Sequence, residues 1–341
     1  MKILFVRPRP SRKTIGLQHV MIVEPLELEV LATLAGPAHQ AVIVDMILEK
    51  KPIDYFIRNE NPDIFCVTGY ITNVPGMIDY CRRAKGINSR IITVAGGVHC
   101  EVCPQDLNDE SIDYRVIRNA TTAFPQLLDY FSNGKLFPKG VSRYNEPLLP
   151  AELPPFDFTF PIPDRSLTSR YRKDYFYIFY DRVALIKTSF GCPFTCSFCF
   201  CREITRENYF ERPLAEVMEE IQSIKEKNIY IVDDDFLTSK TRVTDFIEAN
   251  RSSRLDKHYL LYGRADFIAG NPDVMADFKS VGLKTVIVGF ESFYDHELKN
   301  YHKNTNVKTN EEAMNVLNQN KIDCYATIIV SPDWGRKEFD F

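Results

Sequence analysis

Apolar positions in this chain fall in short runs, each separated from the next by a stretch of helical period. Residues 2–7 (KILFVR), 41–46 (AVIVDM), 63–70 (DIFCVTGY), 90–95 (RIITVA) and 113–118 show little polar alternation, which predicts strands buried on both faces. Between the first two, residues 24–36 repeat Leu26, Leu28, Val30, Leu31 and Leu34 at helical spacing, with Glu27 and Glu29 on the polar side. Helices are predicted again over 52–60, 74–86 and 122–132. Buried strands alternating with helices predict an α/β fold with a parallel, doubly wound sheet. Ligands of such sheets sit at the carboxyl ends of the strands, so the loops after residues 7, 70, 97 and 118 form the candidate ligand edge.

The pattern breaks after residue 133. Pro138, Pro147, Pro150, Pro154, Pro155, Pro161 and Pro163 interrupt any regular element. Residues 134–181 therefore read as a linker that wraps over a surface. Tyr171, Tyr175, Tyr177 and Tyr180 near its end read as packing rather than as substrate lining. Alternation then resumes. Strands are predicted over 182–188 (RVALIKT), 229–233, 258–263, 284–290 (KTVIVGF) and 322–330, with helices over 214–227, 241–250, 271–280 and 309–319. Repeated βα units predict a barrel whose working residues lie at strand C-termini. Five strands are counted, and Ser331-Pro332-Asp333-Trp334 opens a loop into a further helix, so the barrel is expected to be partial and truncated. The predicted division is residues 1–133, a linker over 134–181, and the barrel over 182–341.

Composition narrows the function classes. The chain is 45% hydrophobic and 26% charged with a net charge of −4, ordinary for a globular protein. It has no basic stripe, so nucleic acid is not an expected partner. No apolar run is long enough to span a bilayer. The first residues, Met1 to Arg7, return to charge too soon for a signal peptide. Nine cysteines without a secretory signal point to a reducing, cytoplasmic setting and against a disulfide framework. Neither G-x-G-x-x-G nor a Walker A sequence occurs, which disfavours nicotinamide binding of the Rossmann kind and P-loop chemistry.

The chemistry is concentrated in Ser189-Phe190-Gly191-Cys192-Pro193-Phe194-Thr195-Cys196-Ser197-Phe198-Cys199, a C-x3-C-x2-C loop directly after the first barrel strand. Three thiolates can ligate three irons of a [4Fe–4S] cube and leave the fourth iron open, whereas electron-carrying clusters normally take four cysteines. Zinc is the main alternative. Structural zinc favours four ligands in two separated pairs, and no second pair lies at suitable distance; Cys201 adds only a cramped C-x-C bite. Inert thiols are the remaining reading. Cys100-Glu101-Val102-Cys103 could be a redox or metal pair, although it lacks the usual context of one. Cys66, Cys81 and Cys324 read as small core residues.

This loop and its setting resemble the radical S-adenosylmethionine (SAM) superfamily. The order of the pieces resembles its cobalamin-binding subclass, which includes anaerobic ring cyclases, hopanoid methylases and C-methyltransferases. The resemblance implies a B12-binding domain, a linker and a partial βα barrel, with a [4Fe–4S] cluster, SAM and cobalamin as cofactors. It assigns Cys192, Cys196 and Cys199 to the cluster. It assigns Phe198, Asp234, Arg264, Glu291 and Ile329 to SAM, and Lys303 also matches a family position. In the first domain Thr68, Gly69, Tyr70, Gly96, Gly97 and His99 are the expected cobalamin contacts. The bland readings are a strand-end turn for Asp233-Asp234-Asp235, a surface salt bridge for Arg264, core packing for Ile329, a tight turn for the glycines and a structural histidine for His99.

Two departures from the family stand out. Asp45-Met46-Ile47 lacks the histidine of the D-x-H-x-x-G sequence that binds cobalt from below. Residues 117–121 (IRNAT) replace a Gly-Glu-Gly-Glu segment. The implied activity is methylation of an unactivated carbon of a small molecule or lipid. An external electron donor such as flavodoxin or ferredoxin is implied with it. The alternatives are a cyclase or oxidase without methyl transfer and an inactive cofactor-binding fragment; a methylthiotransferase fits the early cysteines poorly.

Overall fold

A computed structural model describes residues 1–11, 17–146, 154–156, 158–205 and 208–336, with backbone only at 202–203. It divides into two compact units, Met1–Ala184 and Leu185–Phe341.

In the first unit, strands β1 (Lys2–Arg7), β2 (Gln40–Asp45), β3 (Ile64–Thr68), β4 (Ile92–Gly96) and β5 (Tyr114–Val116) form a parallel sheet in the order 2-1-3-4-5. Alternation along β1 explains the two helical layers. Leu4 and Val6 join one core with Phe56, Phe65 and Met77, while Ile3 and Phe5 join another with Leu28, Phe124 and Leu127. The strand order reverses direction between β1 and β3, so the switch-point crevice of a doubly wound sheet opens there, at the C-terminal ends.

The segment read as a linker wrapping over a surface packs on this unit. Val141–Arg143 (β6) pairs antiparallel with β5 and extends the sheet. Residues Arg165–Asp174 form a 3-10 helix held by buried polar bonds. Arg172 donates to Glu24 and Thr168 donates to Glu29, and the backbone N–H of Asp45 donates to the Tyr171 hydroxyl at 3.2 Å. Glu29, expected on a solvent face of its helix, is fully buried by this docking. Prolines exclude long elements, but they do not prevent a three-residue edge strand or side-chain anchoring. Pro147 and Pro150 lie outside the described residues.

The second unit contains a five-stranded sheet in sequence order: β7 (Val183–Ile186), β8 (Asn228–Ile231), β9 (His258–Gly263), β10 (Leu283–Glu291) and β11 (Asp323–Ile328). The unit boundary falls within β7. Parallel registers between β8 and β9, β9 and β10, and β10 and β11 match the open βα arrangement read from the sequence. Phe236, Phe246, Tyr259 and Phe278 pack edge-on and tilted, with ring centroids 5.1–6.1 Å apart. Residues 337–341, where the next helix was expected to continue, lie outside the described residues. No described helix is long and apolar enough to cross a membrane.

Candidate active site

The cysteine loop starts from a buried carboxylate. Asp233, just after β8, accepts hydrogen bonds from the Thr188 N–H (2.6 Å), the Thr188 hydroxyl (2.5 Å) and the Ser189 hydroxyl (2.7 Å). Ser189–Phe190 then pairs antiparallel with Phe210–Glu211, and Arg212 donates to the Lys187 carbonyl at 2.9 Å and the buried Glu220 carboxylate at 2.6 Å. Gly191 follows with φ +83°; a Cβ there would lie 2.1 Å from the Asn208 carbonyl oxygen. Only glycine suits that left-handed, crowded turn. Asp234 closes it by accepting from the Gly191 N–H at 2.9 Å. The acidic triplet is therefore more than a strand-end turn, since it organises the loop that carries the thiols.

The thiols of Cys192, Cys196 and Cys199 are free, Cys196 buried and the other two half-buried. Burial pushes the Cys192 thiol up to about 12. A hydrogen bond from Cys201 brings Cys199 down to about 6, which favours the thiolate needed for ligation.

The other expected residues collect at the same strand ends. Arg264, after β9, is buried and stacks over the Phe194 ring at 3.7 Å. Its Nε and Nη2 face Asp266, with Nη2 to Oδ2 at 2.9 Å. The guanidinium edge expected for a carboxylate is thus already occupied. Glu291, at φ +65° beside a bulge in β10, accepts from Lys303 Nζ at 3.0 Å, both side chains being buried. A Cβ on Gly289 would lie 2.2 Å from Glu291 Oε1 and 2.7 Å from Lys303 Nζ, so this glycine makes room for the pair. Ile329 donates its N–H to the Glu291 carbonyl at 3.0 Å. Phe198 is exposed and meets Tyr301 edge-on, while the Ser197 N–H bonds the Tyr301 carbonyl at 3.0 Å.

Sequence reasoning selected Asp234 for the SAM amino group. Its carboxylate is engaged by the Gly191 N–H and by Cys201 Sγ at 3.4 Å. The neighbouring Asp235 was not singled out from the sequence. Asp235 is buried, its Oδ2 has no partner, and desolvation pushes it up to about 7. Nothing in three adjacent aspartates distinguishes them; only the turn after β8 does.

In the first unit, the expected cobalamin residues meet at the ends of β3 and β4. The His99 N–H bonds the Gly69 carbonyl at 3.2 Å. Gly97 has φ +91°, and a Cβ on it would lie 2.4 Å from Thr68 Oγ1. Tyr70 is exposed, and its N–H donates to Asn73 Oδ1 at 3.1 Å. Asn73 in turn donates to the Pro8 carbonyl at 3.2 Å, after β1. His99 points inward, with Nε2 2.9 Å from Asp106. Cys100 is a buried thiol donating to the Ala95 carbonyl at 3.6 Å. Asp45, which lacks a following histidine, is committed to Arg7 Nε at 3.0 Å and to the Ile47 N–H at 3.1 Å.

Residues 12–128 match the B12 binding domain family and residues 186–340 match the Radical SAM superfamily. These two matches, in this order, are those of the cobalamin-binding radical SAM superfamily. The cofactors of that family are a [4Fe–4S] cluster, SAM and cobalamin. The hopanoid C-3 methylase of Methylococcus capsulatus is 29% identical over the whole chain and 67% of its own length. An anaerobic magnesium-protoporphyrin IX monomethyl ester cyclase of Rubrivivax gelatinosus is 26% identical over 87% of the chain and 56% of its own length. The fold is also that of the cobalamin-dependent SAM radical enzyme OxsB, at a TM-score of 0.79 and 15% identity over 99% of the chain. The chain spans about half the length of that structure (51%).

Proposed function

We propose that this radical SAM protein is a cobalamin-dependent methyltransferase acting on an unactivated carbon of a small molecule or lipid. The observation that carries the proposal is the three-thiol loop, anchored on Asp233 and Asp234, in the same strand-end region as the buried Asp235 carboxylate, whose Oδ2 has no partner. The similarity to a hopanoid methylase along the whole chain supports methyl transfer. When bound, the three cofactors supply reductive cleavage of SAM, hydrogen abstraction from carbon and the methyl group, and an external donor such as flavodoxin or ferredoxin supplies electrons.

The chain's own residues bind and orient. Cys192, Cys196 and Cys199 hold the cluster. Asp235 Oδ2 accepts the ammonium of SAM, which compensates its burial. Glu291, pinned by Lys303 and the bulge, offers its carboxylate to the ribose hydroxyls. Phe198 and Ile329 supply apolar surface for the adenine. Thr68, Gly69, Tyr70, Gly96, Gly97 and His99 form the corrinoid edge at the ends of β3 and β4, where bare glycine backbone permits close approach.

The test is anaerobic reconstitution with iron and sulfide, then addition of methyl-labelled SAM, cobalamin and reductant. Formation of 5′-deoxyadenosine is expected, and its loss in Cys199→Ala. Colourless protein with zinc on the thiols would refute the reading. Similarity to the ring cyclase favours a second reading, oxidation or cyclisation without methyl transfer. Product free of label would select it.

A further inference from the structure

Arg264 has one nitrogen that its anchors leave over. Its Nε faces both oxygens of Asp266, at 3.0 and 3.3 Å. Nη2 spends its two hydrogens on Asp266 Oδ2 at 2.9 Å and the Lys303 carbonyl at 2.6 Å. The Phe194 ring covers one face of the guanidinium. The remaining terminal nitrogen, Nη1, points at the sulfur of Cys196, 3.9 Å away, and both side chains are buried. An ordinary surface ion pair with Asp266 would need neither the burial nor the carbonyl clamp. A clamp for an incoming carboxylate would need the edge that Asp266 already fills.

We propose that Arg264 is a positioning residue for the cluster. It gives the Cys196 thiolate a charge-assisted N–H···S bond and so raises the reduction potential of the cluster that thiolate holds. The inference rests on the reading of Cys192, Cys196 and Cys199 as cluster ligands. Its physical basis is general: reduction adds negative charge, and a hydrogen bond or a cation at a ligand sulfur stabilises that charge. The geometry explains why arginine stands here. A lysine ammonium has three donors but bunches them on one nitrogen, and it lacks the planar fork that spreads them across a carboxylate, a carbonyl and a thiolate.

The experiment is an anaerobic redox titration of the reconstituted full chain without SAM, read by the electron paramagnetic resonance of the reduced cluster. Wild type is compared with Arg264→Lys and Arg264→Gln, and iron content per chain controls for cluster loading. A more negative midpoint is expected in both variants, larger in Arg264→Gln, at unchanged iron content. In resonance Raman spectra, an Fe–S(Cys) band that shifts in D2O for wild type should lose that shift in Arg264→Gln. If Arg264→Gln takes up no iron, Arg264→Lys decides. Loaded variants with wild-type midpoints overturn the inference, also when their SAM affinity has fallen, which would return Arg264 to substrate binding. A wild-type chain that takes up no [4Fe–4S] cluster overturns the parent reading and this inference together.

Discussion

Asp233 and Asp235 are neighbours with opposite situations. Asp233 is saturated by the Thr188 N–H and two hydroxyls, so its removal strands three donors at the start of the cluster loop. Asp233→Ala should destabilise the second unit by on the order of 3 kcal/mol and lower iron uptake; calorimetry and iron assay of reconstituted protein check both. Asp235 instead keeps an unpartnered oxygen, and burial pushes it up to about 7. The sign of its pH effect follows. Between its unfolded value near 4 and about 7, the folded chain binds a proton that the unfolded chain does not, so stability falls as pH rises through that window. Comparing urea unfolding of apo wild type and Asp235→Asn at pH 5, 6, 7 and 8 isolates this contribution. The wild type should lose stability relative to the variant up to about pH 7 and run parallel above it; parallel lines throughout would show that Asp235 is not held protonated.

Two elements depend on contacts that local propensity does not encode. The turn at Gly191 places the thiols by running at φ +83° against the Asn208 carbonyl. Gly191→Ala combines left-handed strain with a backbone clash and should cost about 2 kcal/mol or more, with cluster loading lost before secondary structure is. Circular dichroism beside an iron assay separates the two. The 3-10 helix over 165–174 depends on buried charge. Arg172 serves Glu24, and Arg165 lies 3.6 Å from the same carboxylate. Arg172→Ala leaves a buried carboxylate under-compensated, at a cost on the order of 3–5 kcal/mol. It should speed hydrogen exchange over 165–177 before the sheet exchanges; unchanged exchange there would mean that Arg172 does not hold the segment.

At the scale of the whole molecule, each of the two compact units carries its own set of candidate cofactor residues. Cobalamin at a hundred times its dissociation constant adds about 2.7 kcal/mol to whatever binds it, and hydrogen exchange should slow over residues 64–106. Slowing confined to the second unit would misplace the corrinoid edge. The alternation of buried strands and helices was legible because the hydrophobic period is local, and so was the C-x3-C-x2-C loop, whose ligands are close in sequence. Glycines 97, 191 and 289 were visible as letters, but their reason is a neighbour remote in the chain or a side chain folded back on the turn. How the 134–181 segment is held was not legible because its anchors, Glu24, Glu29 and Asp45, lie more than a hundred residues upstream. The amino-acid sequence by itself determined the two α/β units and the thiols that can hold iron. Tertiary structure alone decided which aspartate is saturated and which keeps one unpartnered oxygen, and where the last nitrogen of Arg264 points. Hydrophobic period is written residue by residue, whereas a buried charge is defined by partners that only folding brings together.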